Sequence, residues 1–181
     1  MVNKFVVWFN EVDKGDINIV GGKGANLGEM TKAGFPVPNG FIVTAPAYFH
    51  FLEEAKLRDD LHDALYKLDI NDSKALEAVS KTIQQKIKRA RFPQDIATQV
   101  MHAYLKLEKG VLSHPLVAVR SSATAEDLPG ASFAGQQDTY LNVYGEANLL
   151  EKIKEAWASL FTARAIFYRA TNKFDHFKVG I

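Results

Sequence analysis

The 181-residue chain contains no cysteine. That excludes a disulfide framework, a thiol nucleophile and a thiolate metal site. It also fits a reducing compartment, which makes the cytoplasm the expected location. Neither sign of charge dominates: 22 Lys and Arg stand against 21 Asp and Glu, for a formal net charge of +1. Such a balance gives no global pull toward nucleic acid or an anionic membrane, so any anion must be held locally. No stretch approaches the ~20 apolar residues of a membrane span. The apolar run at Phe5–Phe9 is too short for a secretory leader, and Asn10 and Glu11 follow at once. Internal repeats and low-complexity tracts are missing too.

What is present is ordinary for a soluble globular protein, with 47% apolar and 24% charged residues. The length suffices for one good core or two small lobes. The stretch that organises the chain is Val117 to Val143. Leu116–Val119 reads as a short strand buried on both faces, delivering Arg120 at its end, then the hydroxyls of Ser121 and Ser122. A loop of small residues follows (Ala123, Ala125, Gly130, Ala131, Ser132, Ala134, Gly135), and Tyr140, Leu141 and Val143 return as a second strand. A guanidinium pinned by a strand beside such a loop suits phosphate, because its planar fork pairs two oxygens at once and glycine lets backbone N–H groups approach an anion. The same residues suit an ordinary strand–loop–strand with a structural Arg equally well.

Before that stretch, Phe5–Phe9 reads as a buried strand. Gly21-Gly-Lys-Gly opens a helix in which Leu27, Met30 and Ala33 have helical spacing and Gly34 is the stop. Lys23 then lies in the first turn, where a helix N-terminus favours an anion. A glycine-loosened helix start with a solvated Lys is the competing reading. It is not a Walker A loop, since Ile17 stands where that pattern needs Gly and Gly24 where it needs Ser or Thr. Phe35-Pro-Val-Pro is stiff and extended, Asn39-Gly40 turns, and Phe41–Thr44 is a strand. Helices are expected from Pro46, with Tyr48, Phe49 and Leu52 inward, and through Leu61, Ala64, Leu65 and Leu68. Two more are expected after an N-cap at Asp72 or Ser73 and over Asp95–Lys109. Lys81, Lys86, Lys88, Arg89 and Arg91 form a solvated face rather than a nucleic-acid surface. One long helix is expected from Asn148 to about Thr171, with Arg164 and Arg169 toward its C-terminal end. Val179 and Ile181 read as the first residues of a further strand.

Two blocks carry a resemblance. Val20-Gly-Gly-Lys-Gly-Ala-Asn-Leu-Gly-Glu-Met30 with Gly34–Phe41, and Val119-Arg-Ser-Ser-Ala-Thr-Ala-Glu-Asp through Phe-Ala-Gly-Gln-Gln-Asp-Thr-Tyr-Leu-Asn-Val143, resemble the N-terminal nucleotide-binding domain of the phosphoenolpyruvate synthase and pyruvate phosphate dikinase family. Ala158–Arg169 and Phe174-Asp-His176 resemble it too. The resemblance implies an α/β (α+β) fold, an ATP-grasp-like N-terminal lobe over residues 1–181 with a helical insertion at about 46–110. It implies a phosphohistidine domain, a second ATP-grasp lobe and a TIM barrel outside the chain, so that this piece alone is inactive. The implied partners are ATP and those domains, with no nucleic acid and no membrane. The implied reaction turns ATP, pyruvate and water into AMP, phosphoenolpyruvate and phosphate. An antibiotic (rifamycin) phosphotransferase of the same architecture, or a non-catalytic nucleotide- or partner-binding module, are the alternatives.

Carried over by position, the resemblance makes Lys23 and Arg120 the catalytic phosphate contacts. Gly22, Ser121, Gly135, Gln136, Gln137, Asp138, Thr139 and Arg164 join them around ATP. Mg²⁺ is implied with ligands outside the chain, so no metal ligand is assigned here, and Glu126 and Asp127 are loop polar groups. His50, His62, His102, His114 and His176 lack the context of a carrier histidine and are read as structural or solvated.

Overall fold

A computed structural model describes residues 4–107, 115–124 and 138–181. It is a mixed α/β structure in which helices predominate and two small antiparallel ribbons carry the ends of the site. The first ribbon pairs β1 (Val6–Trp8) with β2 (Phe41–Val43), in the register Val6↔Val43 and Trp8↔Phe41. The second pairs β3 (Val117–Arg120) with β4 (Thr139–Val143).

Between β1 and β2 runs α1 (Ile17–Lys32), interrupted at Gly21, where φ is +67° and ψ 171°. The sequence-based start at the glycines is therefore the start of the second segment; a first turn, Ile17 to Val20, precedes it. At its other end Gly34 has φ +81°, and Phe35 N–H donates to Met30 O while Gly34 N–H donates to Thr31 O. This paired closure is what a glycine just past a helix end permits. Val7, Val12, Val20 and Ala25 form a small core that fixes α1 to the first ribbon.

The main core belongs to α2 (Ala45–Glu54), α3 (Arg58–Tyr66), α4 (Ser73–Arg89), α5 (Gln94–Leu105), α6 (Glu146–Ser159) and α7 (Ala163–Thr171). Asp72 caps α4, its carboxylate accepting from Lys74 N and Ala75 N. Leu76, Ile83 and Ile87 turn inward from α4, and Ile96, Val100 and Tyr104 from α5. Trp157 stacks on Phe92 at 5.3 Å and meets Phe51 at 4.8 Å between ring centroids. These aromatics are core rather than a stacking platform.

Three local expectations are corrected. The residues 148–171 are not one helix: the chain bends at Leu160–Thr162, where the Thr162 hydroxyl accepts from Ala165 N and starts α7. Apolar spacing passed through the bend because Leu160 and Phe161 are buried at the corner itself. Arg164 consequently sits in the first turn of α7, not near a C-terminal end. Finally, β3 is not buried on both faces. Leu116 is exposed, and from Val117 to Arg120 burial alternates, as in a ribbon with one face on the core.

Candidate functional site

Two segments separated by about a hundred residues meet at one hydroxyl. Ser122 Oγ donates to the Val20 carbonyl at 3.0 Å, and Gly24 N–H donates to Ser122 Oγ at 3.2 Å. Val20 and Gly24 flank the break in α1. The break removes the intrahelical partners that the first N–H groups of the second segment would otherwise have. Ser122 meets one of these donors from across the fold. Gly21 lies against the same residue so closely that a Cβ there would stand 2.4 Å from Ser122 Oγ and 2.5 Å from its carbonyl oxygen. With φ also in the left-handed region, only glycine fits without strain. Gly22 and Lys23 therefore lie between two glycines that touch Ser122. Gly22 is buried and Lys23 half-buried.

Arg120 and Ser121 immediately precede Ser122. Ser121 is buried, and both its N–H and its hydroxyl donate to the Asp138 carbonyl, at 3.3 and 3.1 Å. Arg120 pairs with Thr139 in the ribbon and is exposed at the strand end. Asp138 and Thr139 thus stand opposite Arg120 and Ser121. The Tyr140 hydroxyl donates to Asp138 Oδ2 at 3.0 Å; burial and that carboxylate raise its pKa well above the ordinary phenol value. Lys152 Nζ sits 5.2 Å from the centroid of the Tyr140 ring.

Two further ties fix this corner. Tyr104 is fully buried, donates to Pro115 O at 2.7 Å and accepts from Gly145 N–H at 3.1 Å, so α5 holds the entry of β3 beside the start of α6. Beyond Ser122, Thr124 N–H donates to Gly180 O and Gly180 N–H donates to Thr124 Oγ1, both at 3.0 Å. Val179 and Ile181 are buried there.

Lys23, Gly22, Arg120, Ser121, Asp138 and Thr139 are thus brought to one region. Arg164 is exposed in the first turn of α7, a helix that packs on α4. Gly135, Gln136, Gln137, Glu126, Asp127 and His114 lie outside the described residues. Among the described residues no group of three or more His, Asp or Glu could hold a metal ion, and no helix is long and apolar enough to cross a membrane. Two cations beside a broken helix and a hydroxyl-bearing strand end form an arrangement suited to a phosphate chain. Ser122 is not among the residues expected around ATP, and its place directly after Arg120 and Ser121 is the one signal of it in the sequence.

Residues 17–181 match the family described as pyruvate phosphate dikinase, AMP/ATP-binding domain. The chain belongs to that family. It is 52% identical over 179 residues to a probable phosphoenolpyruvate synthase of Methanocaldococcus jannaschii, covering 98% of this chain and 15% of that protein. It is 45% identical to the phosphoenolpyruvate synthase of Pyrococcus furiosus, over 99% of this chain and 26% of that protein. With the phosphoenolpyruvate synthase of Aquifex aeolicus it shares 49% identity, over 97% of this chain and 21% of that protein. The chain therefore spans about a quarter or less of the curated relatives it matches. Within this nucleotide-binding family, the Ser122 junction gives the glycine segment and the arginine strand a common anchor.

Elsewhere, Arg169 is fully buried at the bend between α6 and α7. Its Nη2 donates to Leu160 O, its Nε donates to His176 Nδ1 at 2.9 Å, and the guanidinium lies 5.5 Å from the Phe161 ring centroid. Expected from the sequence only as a residue toward the C-terminal end of a long helix, Arg169 is part of the core. Burial brings its pKa down to about 10, so it stays charged at neutral pH. Burial first, then the neighbouring guanidinium, push His176 down to about 4. His176 is therefore a neutral structural acceptor.

Proposed function

We propose that this chain is the phosphate-holding part of the ATP site of a phosphoenolpyruvate synthase. The observation that carries this reading is the Ser122 junction, which seats the Lys23 segment beside the Arg120 strand end. In this reading Lys23 supplies a point charge and Arg120 a fork to the polyphosphate. Gly22 and Ser121 give close backbone approach, while Asp138 and Thr139 belong to the loop with Gly135, Gln136 and Gln137 that covers the nucleotide. Phosphoryl transfer depends chiefly on positioning and on cations placed where charge develops. Lys23 and Arg120 therefore act by holding the transferred phosphates in line and offsetting their charge. The exposed Arg164 takes a lesser part, meeting nucleotide only if the covering lobe brings it there.

The likeness to phosphoenolpyruvate synthases supports the synthase reading. The reaction then converts ATP, pyruvate and water into AMP, phosphoenolpyruvate and phosphate in the cytoplasm. In the same proposal the fold is an ATP-grasp lobe, and the helices within about 46–110 are an insertion in it. The second lobe, the Mg²⁺ ligands and the phosphohistidine and pyruvate domains are supplied by the remainder of a longer protein, without which this chain is inactive. Mg²⁺, when bound, would screen the polyphosphate charge.

Calorimetric titration with Mg-ATP tests the reading, using the parent, Lys23→Ala and Arg120→Ala. Each folded variant is expected to bind about tenfold or more weakly, the size of a lost charge-assisted hydrogen bond. Unchanged affinity in both variants would refute it.

A further inference from the structure

Asp138 is held through two separate groups. Its backbone carbonyl accepts from the Ser121 N–H at 3.3 Å and from the Ser121 hydroxyl at 3.1 Å, which fixes the chain at the end of the second ribbon. Its carboxylate accepts from the Tyr140 hydroxyl at 3.0 Å. Asp138 stands one residue before β4 (Thr139–Val143), so the strand ladder alone does not set the direction of its side chain.

Tyr140 is itself braced. It is half-buried between the exposed Thr139 and Leu141, so its ring lies on the inner face of the ribbon. There the Lys152 ammonium of α6 stands 5.2 Å from the ring centroid, and Lys152 in turn pairs with Glu155 at 2.9 Å. Burial first, then the Asp138 carboxylate, raise the pKa of the phenol, which therefore stays protonated and donates at neutral pH.

What lies across the ribbon makes this contact matter. Thr139 is the partner of Arg120 in the register, so Asp138 is one residue from the position facing that guanidinium. Arg120 is exposed at the strand end, and an Arg fork pairs with a carboxylate as readily as with phosphate. An ionised Asp138 turned toward Arg120 would occupy the fork and repel a polyphosphate approaching it.

We propose that Tyr140 is a positioning residue that keeps the Asp138 carboxylate away from Arg120 and so leaves the guanidinium open to phosphate. Lys152 and Glu155 hold the Tyr140 ring in place for this task. The consequence for binding rests on the reading of Arg120 as a phosphate contact, whereas the side-chain placement is observable without nucleotide.

Tyr140→Phe tests the proposal, since it keeps the ring and its packing and deletes only the donor. The first readout is nitrogen-15 NMR of the Arg120 side-chain Nε–H without nucleotide. In Tyr140→Phe this signal is expected to shift and to exchange more slowly with water, as an ion pair with Asp138 forms. Tyr140→Phe combined with Asp138→Asn should return it to its position in the parent. An Arg120 signal identical in the parent and in Tyr140→Phe overturns the proposal. The second readout is calorimetric titration with Mg-ATP. Tyr140→Phe should bind about threefold more weakly, the scale of one exposed ion pair, and the double variant should regain that loss. A loss that Asp138→Asn does not relieve marks Tyr140 as merely structural and overturns the proposal as well. Unchanged binding in Arg120→Ala refutes the phosphate reading instead, and the NMR comparison decides the placement of Asp138 whether or not nucleotide binds.

Discussion

The hydroxyl of Ser122 and the carbonyl of Val20 lie 3.0 Å apart across 102 positions of sequence. Ser122→Ala removes that bond and the acceptor for Gly24 N–H together. Two partly buried backbone groups lose their partner, and an unmet group of this kind costs about 1–3 kcal/mol. Urea denaturation should place the variant about 2 kcal/mol below the parent. Mg-ATP affinity should fall even though the side chain carries no charge, because the Lys23 segment is released from the Arg120 strand.

Gly21→Ala tests the same junction from the other side. The added methyl meets Ser122 at sub-contact distance, and the left-handed backbone penalises any Cβ. A loss of about 2 kcal/mol or more is expected by thermal or chemical denaturation. Gly34→Ala is the control: its φ is also positive but nothing lies within 4 Å, so only the backbone penalty of about 1 kcal/mol applies.

Tyr104→Phe keeps the ring in the core and deletes one oxygen that serves Pro115 O and Gly145 N–H. The expected destabilisation is about 1–3 kcal/mol. Amide exchange should quicken at Gly145 and along β3, with the middle of α5 unaffected; a uniform change across the protein would contradict the local role.

His176 makes stability depend on pH. Its native value, about 4, lies below the ordinary 6.5, so between these limits the unfolded chain binds the extra proton. Its contribution is fully present above pH 6.5 and is lost as pH falls toward 4. Protonation would turn Nδ1 from an acceptor into a donor facing Arg169 Nε. His176→Asn keeps an acceptor without the titration, so a denaturation series from pH 7.5 to 4.5 should show a flatter profile for the variant.

Sequence reading reached the elements whose signals are local. The Asp72 cap, the Gly34 stop and the inward Tyr48 and Leu52 each depend on residues a few positions apart. Lys23 and Arg120 likewise stand in local motifs, both within the residues that match the family. Sequence reading missed what depends on distance through space. The break at Gly21 is set by Ser122, and the bend before α7 by a capping Thr162 inside an unbroken apolar pattern. The burial of Arg169 is of the same kind, because its sequence neighbours give no hint of the carbonyl at Leu160 or the ring at Phe161 beside it.

The Ser122 junction also dictates an order of events during synthesis. At about 5–20 residues per second, Val20 leaves the peptidyl-transferase centre roughly 5–20 s before Ser122 does. The Thr124–Gly180 pair adds a second wait of 56 positions. Helices α2 to α5 are complete before either partner exists, and contacts this remote in sequence form late because the intervening loop must first be closed. The glycine segment therefore spends that interval without its anchor, and the corner joined by Ser122 is among the last parts of the nascent chain to be completed.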